Sequence, residues 1–208
     1  MSKLSVSILD VKNKENIDVL NNTNTDYIHV DIMDGEFVLN KKDDYHEFLS
    51  DVTKPLDIHI MANNPKKYID DYLYYDPKYI TIHYEVNNLL SNIEYIKKNN
   101  ILVGVAIKPN TNIEKLYPIL GFIDLVLIMS VEPGLGGQKF INGSLNKIKE
   151  LKDYINKNNY DVVIEVDGGV NGDNFKEVIN SGSDIIVVGS YITKSSDYLE
   201  KIKYLKEN

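Results

Sequence analysis

The chain is expected to fold as an α/β protein with parallel strands. A (β/α)8 barrel is the leading architecture and a doubly wound open sheet the alternative. Three observations lead there. Apolar runs of strand length recur eight times along 208 residues. Segments with helical periodicity lie between them. Several runs finish in histidine, aspartate or a glycine pair, the residue types that build sites at the C-terminal ends of barrel strands.

The runs read in order as Leu4–Leu9, Tyr27–Asp31, Leu56–Ile60, Tyr79–His83, Ile101–Ile107, Leu125–Met129, Val162–Val166 and Ile185–Val188. Successive strand residues point to opposite faces. In the first run, Val6 and Ile8 oppose Ser5 and Ser7. In the second, Ile28 and Val30 oppose His29 and Asp31. In the third, Ile58 and Ile60 oppose Asp57, His59 and Met61. In the fourth, Ile80 and Ile82 oppose Thr81 and His83. In the seventh, Ile164 and Val166 oppose Glu165 and Asp167. In a barrel the apolar set meets the helices and the polar set faces the interior. Helical faces appear at Ile93, Ile96 and Lys97, at Leu145, Ile148, Leu151 and Ile155, and at Phe175, Val178 and Ile179. Asn171 suits the cap of a helix starting near Asp173. No linker or low-complexity tract divides the chain, so residues 1–208 are expected to form one domain.

Hydrophobic content of 43% supports a sizeable core. No apolar run reaches the roughly 18 residues of a membrane span. The chain enters a strand-like segment directly, so a signal peptide is not expected. Cysteine is absent, which fits a reducing cytoplasm. A net charge of −8 argues against nucleic acid and anionic membranes as partners. All 23 basic residues are lysine, so no guanidinium fork can clamp an anion. A phosphate must then be held mainly by backbone N–H groups and helix N-termini.

His29, Asp31, His59 and Asp167 form a mixed imidazole and carboxylate set on inward strand ends. Such a set suits a divalent cation. A lone inward histidine is more often a hydrogen-bonded core residue. Here His29, His59 and His83, three of the four histidines, occupy equivalent positions, which favours a site. His46 lies in a polar stretch and reads as a surface residue. Glycine-containing loops follow the last three strands: Gly134, Leu135, Gly136 and Gly137, then Gly168 and Gly169, then Gly189 with Ser190. That is the usual phosphate position of phosphate-binding barrels.

These motifs together resemble the ribulose-phosphate 3-epimerases. The resemblance rests on Ser7-Ile-Leu9, on His29-Val-Asp-Ile-Met-Asp-Gly35 with Phe37-Val38 and Asn40, and on Asp57-Ile-His-Ile-Met61. It continues through Lys108-Pro109, Glu132-Pro-Gly-Leu-Gly-Gly-Gln-Lys-Phe140, Glu165-Val-Asp-Gly-Gly-Val170 and Val188-Gly-Ser190. The motifs follow the family's order over nearly the whole chain.

The resemblance implies one divalent metal ion, zinc first and iron, manganese or cobalt as alternatives, held by His29, Asp31, His59 and Asp167. It implies that Asp31 and Asp167 are the acid/base pair for proton transfer at C3 of a ketose phosphate, through an enediolate. It implies substrate contacts at Ser7, His59, Gly134–Gly137, Asp167–Gly169, Gly189 and Ser190. Met33, Met61 and Met129 match methionines that line the family's pocket. The implied reaction interconverts D-ribulose 5-phosphate and D-xylulose 5-phosphate in a cytoplasmic homo-oligomer. Asp10, Glu36, Leu39 and the lysine- and aspartate-rich segment after Asn40 depart from the family pattern. They leave open another ketose phosphate, such as allulose 6-phosphate. A non-catalytic sugar-phosphate-binding barrel is the reading of a different class.

Overall fold

A computed structural model describes residues 2–208. In chain order its strands are β1 (Lys3–Ser7), β2 (Tyr27–Asp34), β3 (Lys41–Lys42), β4 (Leu56–Met61), β5 (Tyr79–His83), β6 (Leu102–Ile107), β7 (Leu125–Met129), β8 (Val163–Asp167) and β9 (Ile185–Val188). All but β3 are parallel, and β1 pairs with both β2 and β9. That second pairing closes the sheet into a ring, so the barrel forms and the open sheet does not.

The helices are α1 (Lys14–Asn21), α2 (His46–Leu49), α3 (Lys66–Leu73), α4 (Leu89–Lys98), α5 (Gly143–Asn158), α6 (Phe175–Asn180), α7 (Ser190–Thr193) and α8 (Tyr198–Glu207). Asn13 caps α1 by accepting from Asn16 N at 3.1 Å, and Asp197 caps α8 by accepting from Glu200 N at 2.9 Å. The crossover from β6 to β7 has two 3₁₀ turns, Ile113–Lys115 and Tyr117–Phe122, in place of an α-helix. Pro118 removes a backbone donor there and Gly121 weakens helix propensity. The segment still buries Ile113, Leu116 and Leu120 against the barrel.

The alternation read from sequence is the alternation observed. Ile28, Val30, Ile58, Ile60, Ile80 and Ile82 are fully buried between barrel and helices, in one cluster with Ile17, Ile69, Ile96 and Leu151. Each such side chain contributes about 1.5–3 kcal/mol through burial. The opposite face carries Ser5, Ser7, His29, Asp31, Asp57, His59, Thr81, His83 and Glu165, all buried inside the ring. The remaining strands line the interior with Leu125, Leu127 and Ile185, joined by Tyr27 and Tyr79. The interior is therefore polar on one side and apolar on the other.

Three local expectations shift by more than one residue. β1 ends at Ser7, not Leu9. β2 runs on to Asp34, because Ile32 and Met33 continue the ladder with β4 and β3 pairs antiparallel with Met33 and Asp34. α6 begins at Phe175, and Asn171 instead accepts from Asp173 N at 2.8 Å in the turn before it. His46 is exposed, as expected, and its Nδ1 lies 2.7 Å from the Tyr75 hydroxyl.

Candidate active site

Parallel register sets the levels of the inward side chains. Asp31 of β2 is the ladder partner of His59 of β4, and Met129 of β7 is the partner of Asp167 of β8. Partners in register point the same way, so all four look into the barrel near its C-terminal mouth. His29, Asp31, His59 and Asp167 converge there, and one potential ligand atom from each lies within 4.8 Å of all the others. His59 Nδ1 is 3.2 Å from Asp31 Oδ1 and 4.0 Å from Asp167 Oδ2, while His29 Nε2 is 3.3 Å from Asp31 Oδ1.

The donor set fits a cation. His29 Nε2 is buried without a hydrogen-bond partner, although Nδ1 of the same ring is 2.6 Å from Asp57 Oδ2. Asp57 is an acceptor, so Nδ1 carries the proton and Nε2 presents a lone pair to the cluster. Ser5 donates to the same Asp57 oxygen at 2.8 Å and holds it in place. The fields agree. Burial would raise Asp31, but positive charge on the adjacent His29 ring, and then on His59, would hold its carboxyl below the usual range, the same field a bound cation supplies. Burial and then the Asp31 carboxylate push Asp167 up to about 6. Two carboxylates crowded in a dry pocket repel one another, and a dication between them relieves this.

A pocket opens above the cluster. Its wall includes Ser7, Asp31, Met33, Met61, Met129, Gly134, Leu135, Gly136, Gly137, Asp167, Gly168, Gly169, Gly189 and Ser190. Every pocket residue expected from the sequence is on that wall except His59, which is fully buried beneath it with His29. Ser7 Oγ donates to Asp31 Oδ2 at 2.8 Å and so ties β1 to the acid. Met33 and Met61 pack with Val38 into an apolar, water-excluding wall.

The glycine loops are built from within. Gln138 donates to Glu132 O at 2.6 Å and to Leu135 O at 2.8 Å, bracing the 133–137 loop. Ser130 donates to Asp167 O at 2.9 Å and Gly168 O at 2.7 Å, which aims the strand end carrying Asp167. Gly169 has φ +68°, and a Cβ on it would meet Phe140 N at 2.4 Å. Backbone cannot yield as a side chain can. Gly169→Ala is expected to destabilise the fold by roughly 2–4 kcal/mol. The thermal midpoint should then fall by roughly 5–15 °C. A melting curve matching the wild type would contradict this.

The sequence reading placed Asp57, His83 and Glu165 on the inward face without giving them a role, and it passed over Glu85. Asp57 orients His29, and the Glu165 carboxyl sits beside Asp57, driven well above its usual range by burial and then by the Asp57 charge. His83 Nε2 is 2.9 Å from His59 Nε2, and burial takes its imidazole down to about 4. His83 Nδ1 is 3.3 Å from Glu85 Oε2. Burial would raise Glu85, but hydrogen bonds from His83, Thr111 and Lys108 N hold it at about 2. The available signal was spacing: Asp57 precedes His59 by one alternation, and Glu85 follows His83 by one. Their partners lie on other strands, which spacing along one strand does not reveal.

At the rim, Asp34 accepts from Glu36 N, Phe37 N and Asn63 N, all within 2.8 Å, and Asn40 donates to Gly134 O at 2.8 Å. The departing segment is thus fastened to the glycine loop. Asp10 also reaches the pocket wall, with Lys194 Nζ 3.5 Å from its carboxylate.

Solved structures share the fold. 3-Hexulose-6-phosphate synthase from Salmonella typhimurium superposes with a TM-score of 0.69 at 14% identity, covering 99% of this chain and 97% of that one. Thiamine phosphate pyrophosphorylase from Pyrococcus furiosus gives 0.68 at 15%, covering 99% and 94%. Sequence relatives are much nearer. Ribulose-phosphate 3-epimerase of Aquifex aeolicus is 37% identical over 186 residues, covering 87% of this chain and 83% of that protein. The Bacillus subtilis protein of the same name is 38% identical over 186 residues, covering 87% and 86%. The family model described as the ribulose-phosphate 3 epimerase family matches residues 3–193. That span takes in every strand of the barrel and all the residues gathered at its mouth, and the chain belongs to the ribulose-phosphate 3-epimerase family.

Proposed function

We propose that this chain interconverts D-ribulose 5-phosphate and D-xylulose 5-phosphate by two-base proton transfer at C3. The carrying observation is the pair Asp31 and Asp167, which face one pocket from strands three steps apart around the ring. Inverting a carbon beside a ketone requires a proton to leave one face and return on the other. One carboxylate must therefore stand on each side of the reacting carbon, and these two can flank a substrate lying across the mouth. The intermediate is an enediolate, whose negative charge has to be met in a site that excludes water.

His29, Asp31, His59 and Asp167 would hold a divalent cation, zinc being the first choice for this donor set. Such an ion supplies Lewis-acid stabilisation of charge on the C2 oxygen. Ser7 orients Asp31, and Ser130 orients the Asp167 turn. Met33, Met61 and Met129 keep water away without offering competing protons. The glycine loops at 134–137, 168–169 and 189–190 present backbone N–H groups to the phosphate, which sets the position of C3. On family membership we also read the chain as a cytoplasmic homo-oligomer acting on a free small-molecule substrate.

The test is a paired assay. The purified chain should turn over D-ribulose 5-phosphate with a higher kcat/KM than allulose 6-phosphate. The reverse ranking would transfer the assignment to the second substrate, and the altered rim from Glu36 to Lys42 would then be where to look for the cause. Binding of either sugar phosphate without turnover of any ketose phosphate would sink the enzymatic reading.

A further inference from the structure

We propose that Glu85 and His83 are positioning residues that set the tautomer of His59 and so present its Nδ1 lone pair to the cation site. The inference rests on the reading of His59 as a metal ligand and deepens it. With both rings neutral, the chain of contacts leaves one pattern of protons. Glu85 Oε1 receives the backbone N–H of Lys108 at 3.1 Å and the hydroxyl of Thr111. A backbone N–H can only donate, so this carboxylate is an acceptor on that side. Its other oxygen, Oε2, faces His83 Nδ1 at 3.3 Å, which places a proton on that nitrogen. His83 Nε2 is then a bare acceptor. It lies 2.9 Å from His59 Nε2, and two lone pairs at that distance would repel, so the proton between them belongs to His59. Nδ1 of His59 is left unprotonated, and it is the nitrogen that points toward Asp31 and Asp167.

Burial makes the arrangement stiff. His59 and His83 are 0% exposed, so no solvent competes to turn either ring. The two rings meet edge to edge through their Nε2 atoms, with centroids 5.0 Å apart, and Phe37 packs on His83 at 4.7 Å. Glu85 sits just beyond the end of β5, and Lys108 and Thr111 follow β6, so two adjacent strand ends hold the carboxylate. The Lys108-Pro109 motif thereby acquires a role through its backbone. Each ligand histidine thus has a carboxylate behind it. Asp57 acts on His29 directly, whereas Glu85 acts on His59 through an intervening imidazole. Partners of this kind affect metal affinity as well as orientation.

The experiment uses zinc(II) as the probe on the full-length chain. Zinc affinity is measured by competition with a chromophoric chelator for the wild type, H83F and H83Q. Long-range ¹H–¹⁵N NMR of the zinc-loaded wild type reads the His59 tautomer. We expect the proton on His59 Nε2 and a loss of about 10–100-fold in zinc affinity for H83F. H83Q, whose side-chain oxygen can accept from His59 Nε2–H, should recover most of it, which a purely structural role would not predict. A folded H83F that binds zinc like the wild type overturns the proposal, as does a proton on His59 Nδ1 in the zinc-loaded protein. Should H83F fail to fold, the tautomer measurement decides alone. A wild-type chain that takes up no zinc overturns the metal reading itself and this inference with it. The same uptake by wild type and H83F overturns only the inference.

Discussion

Asp31→Asn and Asp167→Asn are each expected to lower epimerase turnover by about 10²–10⁴-fold, the range supplied by a positioned acid or base. The reason is geometric. Each carboxylate serves one face of the reacting carbon, so losing either blocks inversion in both directions. The more telling result is in deuterium oxide. A variant that keeps one base should still exchange the C3 proton of the epimer presented to that base, without inverting it. The two variants should therefore exchange opposite epimers. Asparagine preserves the side chain's shape and an oxygen ligand, and metal content measured on the same samples separates loss of proton transfer from loss of the ion. Near-normal exchange and turnover in both variants would end the two-base reading.

Exhaustive chelation is expected to produce a loss of comparable size. Meeting the charge of an enediolate with a dication is worth several kcal/mol, and each 1.36 kcal/mol is tenfold in rate, so turnover should fall by at least about 10²-fold. Activity should return as a divalent metal is added back. The buried and unpartnered His29 Nε2 and the crowded Asp31 and Asp167 are the grounds for this. The metal-free protein should also melt at a lower temperature, because an ion that binds only the folded chain stabilises it by mass action. Elemental analysis of the purified protein identifies the ion. Full turnover from protein shown to be metal-free would remove the cation from the mechanism.

Much of this is legible in the sequence. Alternation in Tyr27–Asp31, in Leu56–Ile60 and in Val162–Val166 with the Asp167 that follows it assigns His29, Asp31, His59 and Asp167 to one face, and the structure brings one ligand atom of each within 4.8 Å of the others. Period-two patterning survives because a strand with one face against helices and the other in a polar interior must alternate. The β6–β7 crossover and the β3 strand were not legible. The first is a pair of 3₁₀ turns without the repeat of an α-helix, and the second is two lysines whose only strand character is their pairing with Met33 and Asp34.

Local pattern is enough for the eight main strands, their polar faces, the four candidate ligands and the three glycine loops. Each of these follows from local periodicity or from a residue type at a strand end, and neither needs knowledge of a distant partner. Which nitrogen of His29 looks at the cluster, that Ser7 holds Asp31, and that His59 meets His83 with Glu85 behind it emerge only in the folded barrel. Those facts depend on side chains from different strands meeting at hydrogen-bond distance. Ring closure through the β1–β2 and β1–β9 pairings creates those meetings, and no window of sequence contains them.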